Sequence, residues 1–488
     1  MTTAQTEFIA AEPAPASHSG LRRACLSFPE VLAQSIALIA PTMTAALLIP
    51  LAFASAGKGT WLAYLFGTVM LLFVVFNLNQ FARRSASPGS MYAYTGRGIG
   101  ARAGVLSGWT LIWAYLFIGM AGMTGFALFA GQLLGFLGIH VPPIALFFMS
   151  GGLCWFCAYR DIKLSSALML VLEGLSVLLI LALAALVLAK RGFAPDVSQI
   201  SLEGTSFSGV GLGVIAAIFS LVGFEAATAF GDEARDPLRS IPKAVIWSLL
   251  LTGLFFVVIA YVEVLGLAHH TPPLDQESAP LNDLAELMGV GFLKVPLSLG
   301  ALLSFFSLSL SCLNAGARIL FPMGRHSVLH TAIGRVHPTN RTPHVSIAVT
   351  IAIMVLVPSV MTLSGVGLQD AYNDVGTFGA IGFLTAYFLI SIAAPLYLRK
   401  EGKLRPKDVG LSVVAVLFLL YPTVSLFYPV PPSPTNYFPY IFGAYMAVGA
   451  VWFGHVSRRS PDKIQEIEQD LESMHRLFAE GHVAEGGS

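Results

Sequence analysis

The chain has 488 residues, of which 55% are hydrophobic and only 11% charged, with a formal net charge of +1. Ordinary globular domains carry about a quarter charged residues, so this chain cannot cover the surface of several soluble domains, and its near-neutral balance offers no basic field for nucleic acid. Abundant Phe, Leu, Ile and Val exclude a disordered or fibrous class, which leaves an all-α polytopic membrane protein.

Residues 1–28 are polar and Pro/Ala-rich at their start and lack the charged and apolar regions of a cleavable signal. They are expected to form a disordered cytosolic tail. Spanning a bilayer takes about 20 apolar residues, more when the helix is tilted. On that ruler twelve segments qualify: 30–56, 61–82, 102–137, 141–159, 164–189, 209–233, 241–267, 291–323, 343–364, 371–398, 409–428 and 437–456. We call them spans 1 to 12. Span 3 holds one charge, Arg102, and reads as a single tilted helix. In span 4, Cys154 and Cys157 lie in an apolar run without a second pair, which fits a buried helix face better than a zinc or redox motif. Beyond span 12, Ser460, Pro461 and Asp462 suit a cap and first turn. Ile464, Ile467, Leu471, Met474 and Phe478 then recur at helical spacing, so residues 458–488 are expected to hold an amphipathic cytosolic helix.

Alternating the connections leaves only Lys58, Lys190, Arg191 and Lys294 on one side, and the other 24 of the 28 Lys and Arg on the side of both termini. By the positive-inside rule the termini are cytosolic. An odd number of spans would spoil this alternation.

Two spans are interrupted where a helix needs continuous bonding. Span 1 carries Ile39-Ala-Pro41-Thr-Met-Thr44-Ala45 at its middle, and Pro41 has no N–H for the preceding turn. Span 6 carries Phe219-Ser-Leu-Val-Gly223-Phe-Glu225. Broken backbone is tolerated in a membrane only where it lines a cavity or holds a ligand. A pair of breaks five spans apart points to the binding site of a transporter with two inverted repeats of five helices. Taken singly, Pro41 would be a kink and Gly223 a packing residue.

The stretch Phe219 to Glu225, followed by Glu233-Ala-Arg-Asp-Pro237-Leu-Arg239-Ser-Ile-Pro242-Lys-Ala244, resembles the sixth-helix signature of the amino acid–polyamine–organocation (APC) permeases. Three further segments match in order: Ser87-Pro-Gly-Ser-Met-Tyr92-Ala-Tyr94, Leu313-Asn-Ala-Gly-Ala-Arg318 with Met323-Gly-Arg325, and His337-Pro338 with Arg341-Thr-Pro343. The resemblance covers residues 30–456. It implies a LeuT-like core of ten helices over 29–398, two peripheral helices over 399–457, and alternating access by rocking of broken helices 1 and 6. It also implies substrate contacts from Ala40, Pro41, Thr42, Met43 and Thr44, and from Phe219, Ser220, Leu221 and Gly223, with Phe219 as an aromatic lid. The ligand carboxylate would meet backbone N–H groups of span 1, and its amino group the carbonyls of both breaks, as half-helix ends favour. The chain departs from the family at Met43-Thr44-Ala45, where many relatives have a Gly-Ser-Gly-like turn. The break is therefore expected to rest on Pro41 and two threonine hydroxyls, which leaves room for an amine or a modified amino acid.

Intramembrane acids are functional by default. Glu225 follows the span 6 break, where the half-helix dipole favours the anion and burial the neutral acid; it matches the glutamate that serves the proton response of the arginine/agmatine antiporter. Its alternative role is a structural cap. Glu173 lies ~15 Å into span 5, one turn before Ser176, which stands where some proton-coupled relatives carry a lysine. Glu173 is a coupling acid, or Ser176 with Ser307 and Ser311 forms an oxygen-lined ion site, or Glu173 is a packing acid. Asp232, Glu233, Arg235, Asp236, Arg239 and Lys243 read as a gate network or a solvated face. Glu263 and Asp374 are expected near the outer rim in reach of water. Trp113 and Met120 are candidate pocket walls. His269-His270 and His326 with His330 have metal-like spacing but no third ligand in sequence, so neither metal nor cofactor is expected. Gly96-Arg-Gly-Ile-Gly100 follows no strand and is not a dinucleotide loop.

The spans carry no catalytic constellation, and a channel would lack matched breaks. The expected function is secondary active transport of a neutral or hydrophobic amino acid across the cytoplasmic membrane, proton-coupled. An amine or polyamine permease, an exchanger and a sodium symporter remain as alternatives.

Overall fold

All twelve apolar segments are helical, because backbone groups without water must pair inside their own segment. The computed structural model describes residues 19–85, 89–268, 270–277, 279–428 and 430–459, with Ile464, Ile467 and Gln469. The tail up to residue 18, Ser87 and Pro88, His269, and the C-terminal positions Ser460, Pro461, Asp462, Leu471, Met474 and Phe478 lie outside the described residues.

Span 1 runs Phe28–Ile39, a Pro41–Met43 turn, a π-turn Thr44–Leu48 and Ile49–Ala56. Spans 2 to 5 are Thr60–Ala82, Ala101–Phe136, Pro143–Arg160 and Ile162–Lys190. Span 6 is Phe207–Leu221 followed by a 3-10 segment, Phe224–Ala229. Spans 7 to 12 are Pro237–Gly266, Lys294–Arg325, His344–Leu363, Leu368–Lys400, Pro406–Ser425 and Phe438–Arg459. Nine stretches among the described residues are long and apolar enough to cross a membrane; the first, Phe28–Ala82, joins spans 1 and 2, and spans 4 and 12 fall outside the nine.

Span 3 is one unbroken helix, as its composition requires, and 89% of its apolar window is buried, against 28% for span 11. Span 3 is therefore the bundle's axis, and span 11 shows its side chains to lipid. Small residues allow that central packing. A Cβ on Gly122 would stand 2.3 Å from Ser309 Oγ, and one on Gly125 2.1 Å from a Phe305 ring carbon, so spans 3 and 8 touch backbone to side chain. Cys154 and Cys157 are both buried free thiols.

The break in span 1 differs from its expected form. The helix ends at Ile39 and the chain turns at Ala40, which adopts a left-handed φ of 50° and ψ of 70°; Pro41 then opens the next turn. The hydroxyls of Thr42 and Thr44 are buried without a hydrogen-bond partner, so they do not hold the turn. An alanine in this conformation costs roughly 1–2 kcal/mol, and glycine gives back roughly 0.5–1 kcal/mol in chain entropy. Ala40→Gly is thus expected to stabilise the protein by about 0.5–1 kcal/mol, read as a higher apparent melting temperature of purified protein; a fall would show that the turn is not strained.

Candidate binding site

Between the two breaks lies a cavity of about 280 Å³. Leu38, Ile39, Met43 and Leu48 of span 1 form one wall and Phe219, Ser220 and Val222 of span 6 another. Span 3 adds Ile118 and Ala121, span 8 adds Leu308, and span 10 adds Tyr372 and Asn373. Asn373, exposed in the second turn of span 10, stands on its rim with Leu51, so the cavity reaches the surface toward the end of the bundle where span 10 begins. Of the expected substrate residues, Met43, Phe219 and Ser220 line it. Thr42, Thr44, Leu221 and Gly223 are buried beside it without being part of its wall. Pro41 faces a different cavity, described below. Trp113 and Met120 do not line it either. Trp113 donates from its indole nitrogen to the Phe378 carbonyl at 2.7 Å and packs against Phe117, Phe442 and Tyr445. The span 3 wall comes instead from Ile118 and Ala121, on another face of the same helix.

The breaks supply polar backbone to this apolar chamber. Helix ends leave first-turn amides and last-turn carbonyls without intrahelical partners, and Thr42 and Met43 carry such amides. In span 6, Val222 is extended (ψ 150°) and Gly223 turns with φ +101° before the 3-10 segment begins. The Gly223 amide donates to the Tyr387 hydroxyl at 3.1 Å. Tyr387 in turn donates to Glu225 Oε2 at 2.6 Å, and Tyr115 donates to Glu225 Oε1 at 3.0 Å. Glu225 is completely buried, so both carboxylate oxygens are satisfied by phenols from spans 3 and 10 rather than by water. Neither tyrosine is signalled by sequence spacing, since they stand 110 and 162 residues away from Glu225.

Glu173 has no such partners. It lies against Ser304 of span 8, and both of its oxygens are buried and without a hydrogen bond. It borders the larger cavity of about 410 Å³ between spans 1, 5 and 7, together with Pro41 and Thr252. Leu254, 64% exposed, stands on its rim, so this cavity faces lipid, not the breaks. The oxygen-lined ion site expected from Ser176, Ser307 and Ser311 is not assembled. The Ser176 hydroxyl donates to the Leu172 and Gly300 carbonyls, whereas Ser307 and Ser311 lie about 10 and 16 Å further along span 8 by helical rise. Ser311 donates to the Gln34 carbonyl at 2.7 Å, and Gln34 donates from its side-chain amide to Ser166 at 2.6 Å. This link ties spans 1, 5 and 8 together. Glu263 also departs from expectation: it is fully buried, and both oxygens lack hydrogen bonds. Asp374 is partly exposed.

At the end bearing the termini the bundle is closed. Arg318 of span 8 pairs with Glu233 through Nε–Oε2 at 2.5 Å and a second guanidinium nitrogen to Oε1 at 2.6 Å, both side chains being 1% exposed. The guanidinium also lies 4.6 Å above the Phe230 ring. Of the expected gate charges, Glu233 alone is in this buried pair; Asp236 and Arg239 are 3.9 Å apart at the surface. The N-terminal segment crosses the same place. Leu26 and Ala234 form a parallel bridge, with Leu26 N–H to Glu233 O at 2.8 Å and Arg235 N–H to Leu26 O at 2.9 Å. Ser35 donates to the Phe224 carbonyl at 2.7 Å and accepts from the Ala227 amide at 3.0 Å. Burial holds Asp232 above the ordinary carboxylate range, against the lowering effect of the Ser19 hydroxyl bonded to it.

The family model described as amino acid permease matches residues 26–451. The branched-chain amino acid permease BcaP of Bacillus subtilis is 23% identical over 401 residues, 75% of this chain and 81% of that one. The low-affinity putrescine importer PlaP of Escherichia coli K12 is also 23% identical, over 71% of this chain and 75% of its own length. Among solved structures, a mutant manganese transporter of Eremococcus coleocola aligns with a TM-score of 0.54 at 11% identity, covering 92% of this chain and 95% of that one. At that identity the likeness is one of fold.

Proposed function

This chain belongs to the amino acid permease family, within the APC superfamily, and on that premise we propose that it is a secondary active transporter for a neutral amino acid with an apolar side chain. The two relatives named above are a branched-chain amino acid permease and a putrescine importer; the chamber between the breaks favours an amino acid. Among the described residues no carboxylate lines that chamber, and a second ammonium or a guanidinium buried there would have no counter-charge, which is costly. Leu38, Ile39, Met43, Leu48 and Leu308 instead suit a branched aliphatic side chain. The backbone amino and carboxylate groups of the ligand would meet freed carbonyls and the Thr42 and Met43 amides, with the unpartnered hydroxyls of Thr42 and Thr44 as further donors.

The state described is open away from the termini and closed at the other end. With the termini in the cytosol, the side that the positive charges favour, it is outward-facing. Counterflow in proteoliposomes tests the substrate class. Leucine, isoleucine or valine is expected to exchange; exchange of putrescine or arginine without any of these would overturn the reading.

Glu225 is the coupling acid in this proposal. Its ionised form accepts from both phenols, leaving the Tyr387 oxygen to accept from the Gly223 amide. Protonation removes one acceptor site, so the tyrosines must redirect their hydroxyl hydrogens and the Gly223 bond changes with them. A proton on Glu225 is thereby felt at the substrate break. Glu225→Gln is expected to flatten the pH dependence of transport, and Tyr387→Phe to weaken it. A pH profile identical to wild type in Glu225→Gln would remove this acid from the coupling.

A further inference from the structure

The loop between spans 7 and 8 brings together three side chains that the substrate chamber does not use. His270 follows span 7 directly, Glu277 ends a short 3-10 turn, Leu274–Gln276, and Asp283 sits on the helix Pro280–Leu287. One ligand atom from each lies within 4.8 Å of the others. His270 Nε2 and Glu277 Oε1 are 2.9 Å apart, yet Glu277 Oε1 is buried and accepts no hydrogen bond. At this distance the two side chains form an ion pair, with Asp283 beside them. Two donors held about 2.0–2.1 Å from a tetrahedral ion stand about 3.3 Å apart, so an ion between this pair requires its atoms to separate by only a few tenths of an ångström. The Glu277 side chain is only 10% exposed and His270 23%. The neighbouring Glu286 is engaged elsewhere, by Lys294. The third ligand that the sequence did not show for His270 is therefore present twice, as carboxylates seven and thirteen residues on.

We propose that His270, Glu277 and Asp283 form a divalent-cation site on the loop, suited to Zn²⁺ by its imidazole and carboxylate donors. The loop bears on the transport helix: the turn Leu274–Gln276 packs on the Ile49–Ala56 segment of span 1, and the helix Pro280–Leu287 reaches the π-turn Thr44–Leu48. A cation bound to all three residues joins the end of span 7 to that helix and holds the loop across the outer half of span 1. The chemistry of the site therefore makes zinc a brake on movement of that half.

Calorimetric titration of the purified, tag-free full chain with zinc chloride tests the site. One ion per chain is expected, with the affinity of His270→Ala and Asp283→Asn weaker by at least about tenfold. Glu277→Gln serves as a third variant if either of these fails to fold. No binding to wild type at millimolar zinc, or unchanged binding in folded variants, overturns the site. Binding is read without substrate, so an error in the substrate assignment leaves this result untouched. In proteoliposomes, zinc on the loop side is expected to slow wild-type counterflow severalfold and to leave His270→Ala unaffected; equal rates in wild type with and without zinc overturn the brake.

Discussion

Replacing Arg318 by methionine is expected to destabilise the protein by about 3–5 kcal/mol, because Glu233 would remain buried as an unpaired acid. The partner is not replaceable by solvent, since both side chains are 1% exposed. The substitution also removes the guanidinium from the Phe230 ring and its bond to the Asn314 carbonyl. Combining Arg318→Met with Glu233→Gln is expected to recover most of the loss, as neither charge is then stranded. Thermal unfolding of the purified single and double variants checks this. A single variant that melts like wild type would show that the pair adds nothing to the closed end.

Gly223→Ala is expected to abolish most transport while leaving a folded protein. The residue sits at φ +101°, where an L side chain is disfavoured, and a Cβ there would lie 1.8 Å from Leu38 Cδ2 and 2.9 Å from Leu38 Cγ. The conformation costs roughly 1–2 kcal/mol and the overpacking roughly 1–3 kcal/mol. Since each 1.36 kcal/mol is tenfold in rate, a loss of about thirtyfold or more follows if the strain falls on the loaded state. Adding Leu38→Ala removes the collision but not the backbone strain, so only partial rescue is expected. Full uptake in Gly223→Ala would mean that the break relaxes freely and that its geometry does not define the site.

The helices and the location of the breaks were readable because they depend on local properties: apolar run length, proline, glycine and the placement of Lys and Arg. The turning residue in span 1 was not, since alanine carries no sign that its φ is 50°. Glu225 was recognisable as a buried acid at a break. Its two phenolic partners were not, because they come from spans 3 and 10, and helical periodicity says which face a tyrosine occupies but not which neighbour that face meets. The chamber wall failed in the same way: Trp113 was expected there and Ile118 was found. Glu263 shows the opposite error. Its place near a helix end suggested access to water, whereas packing of neighbouring segments encloses it.

The bonds at the end bearing the termini also determine what can move as one piece. Phe28–Ile39 and Phe224–Ala229 are tied to each other's backbone by Ser35, which fills two backbone vacancies, and the chain next to each by the bridge from Leu26 to Ala234. Span 8, by contrast, holds this pair at the same end largely through side chains, Arg318 foremost. Backbone stitching gives a single two-legged lever, and side-chain clasps give a catch that can release it. In an alternating cycle the inner legs of spans 1 and 6 would swing together, and the energy of the catch, rather than the stiffness of either leg, would set how often that end opens.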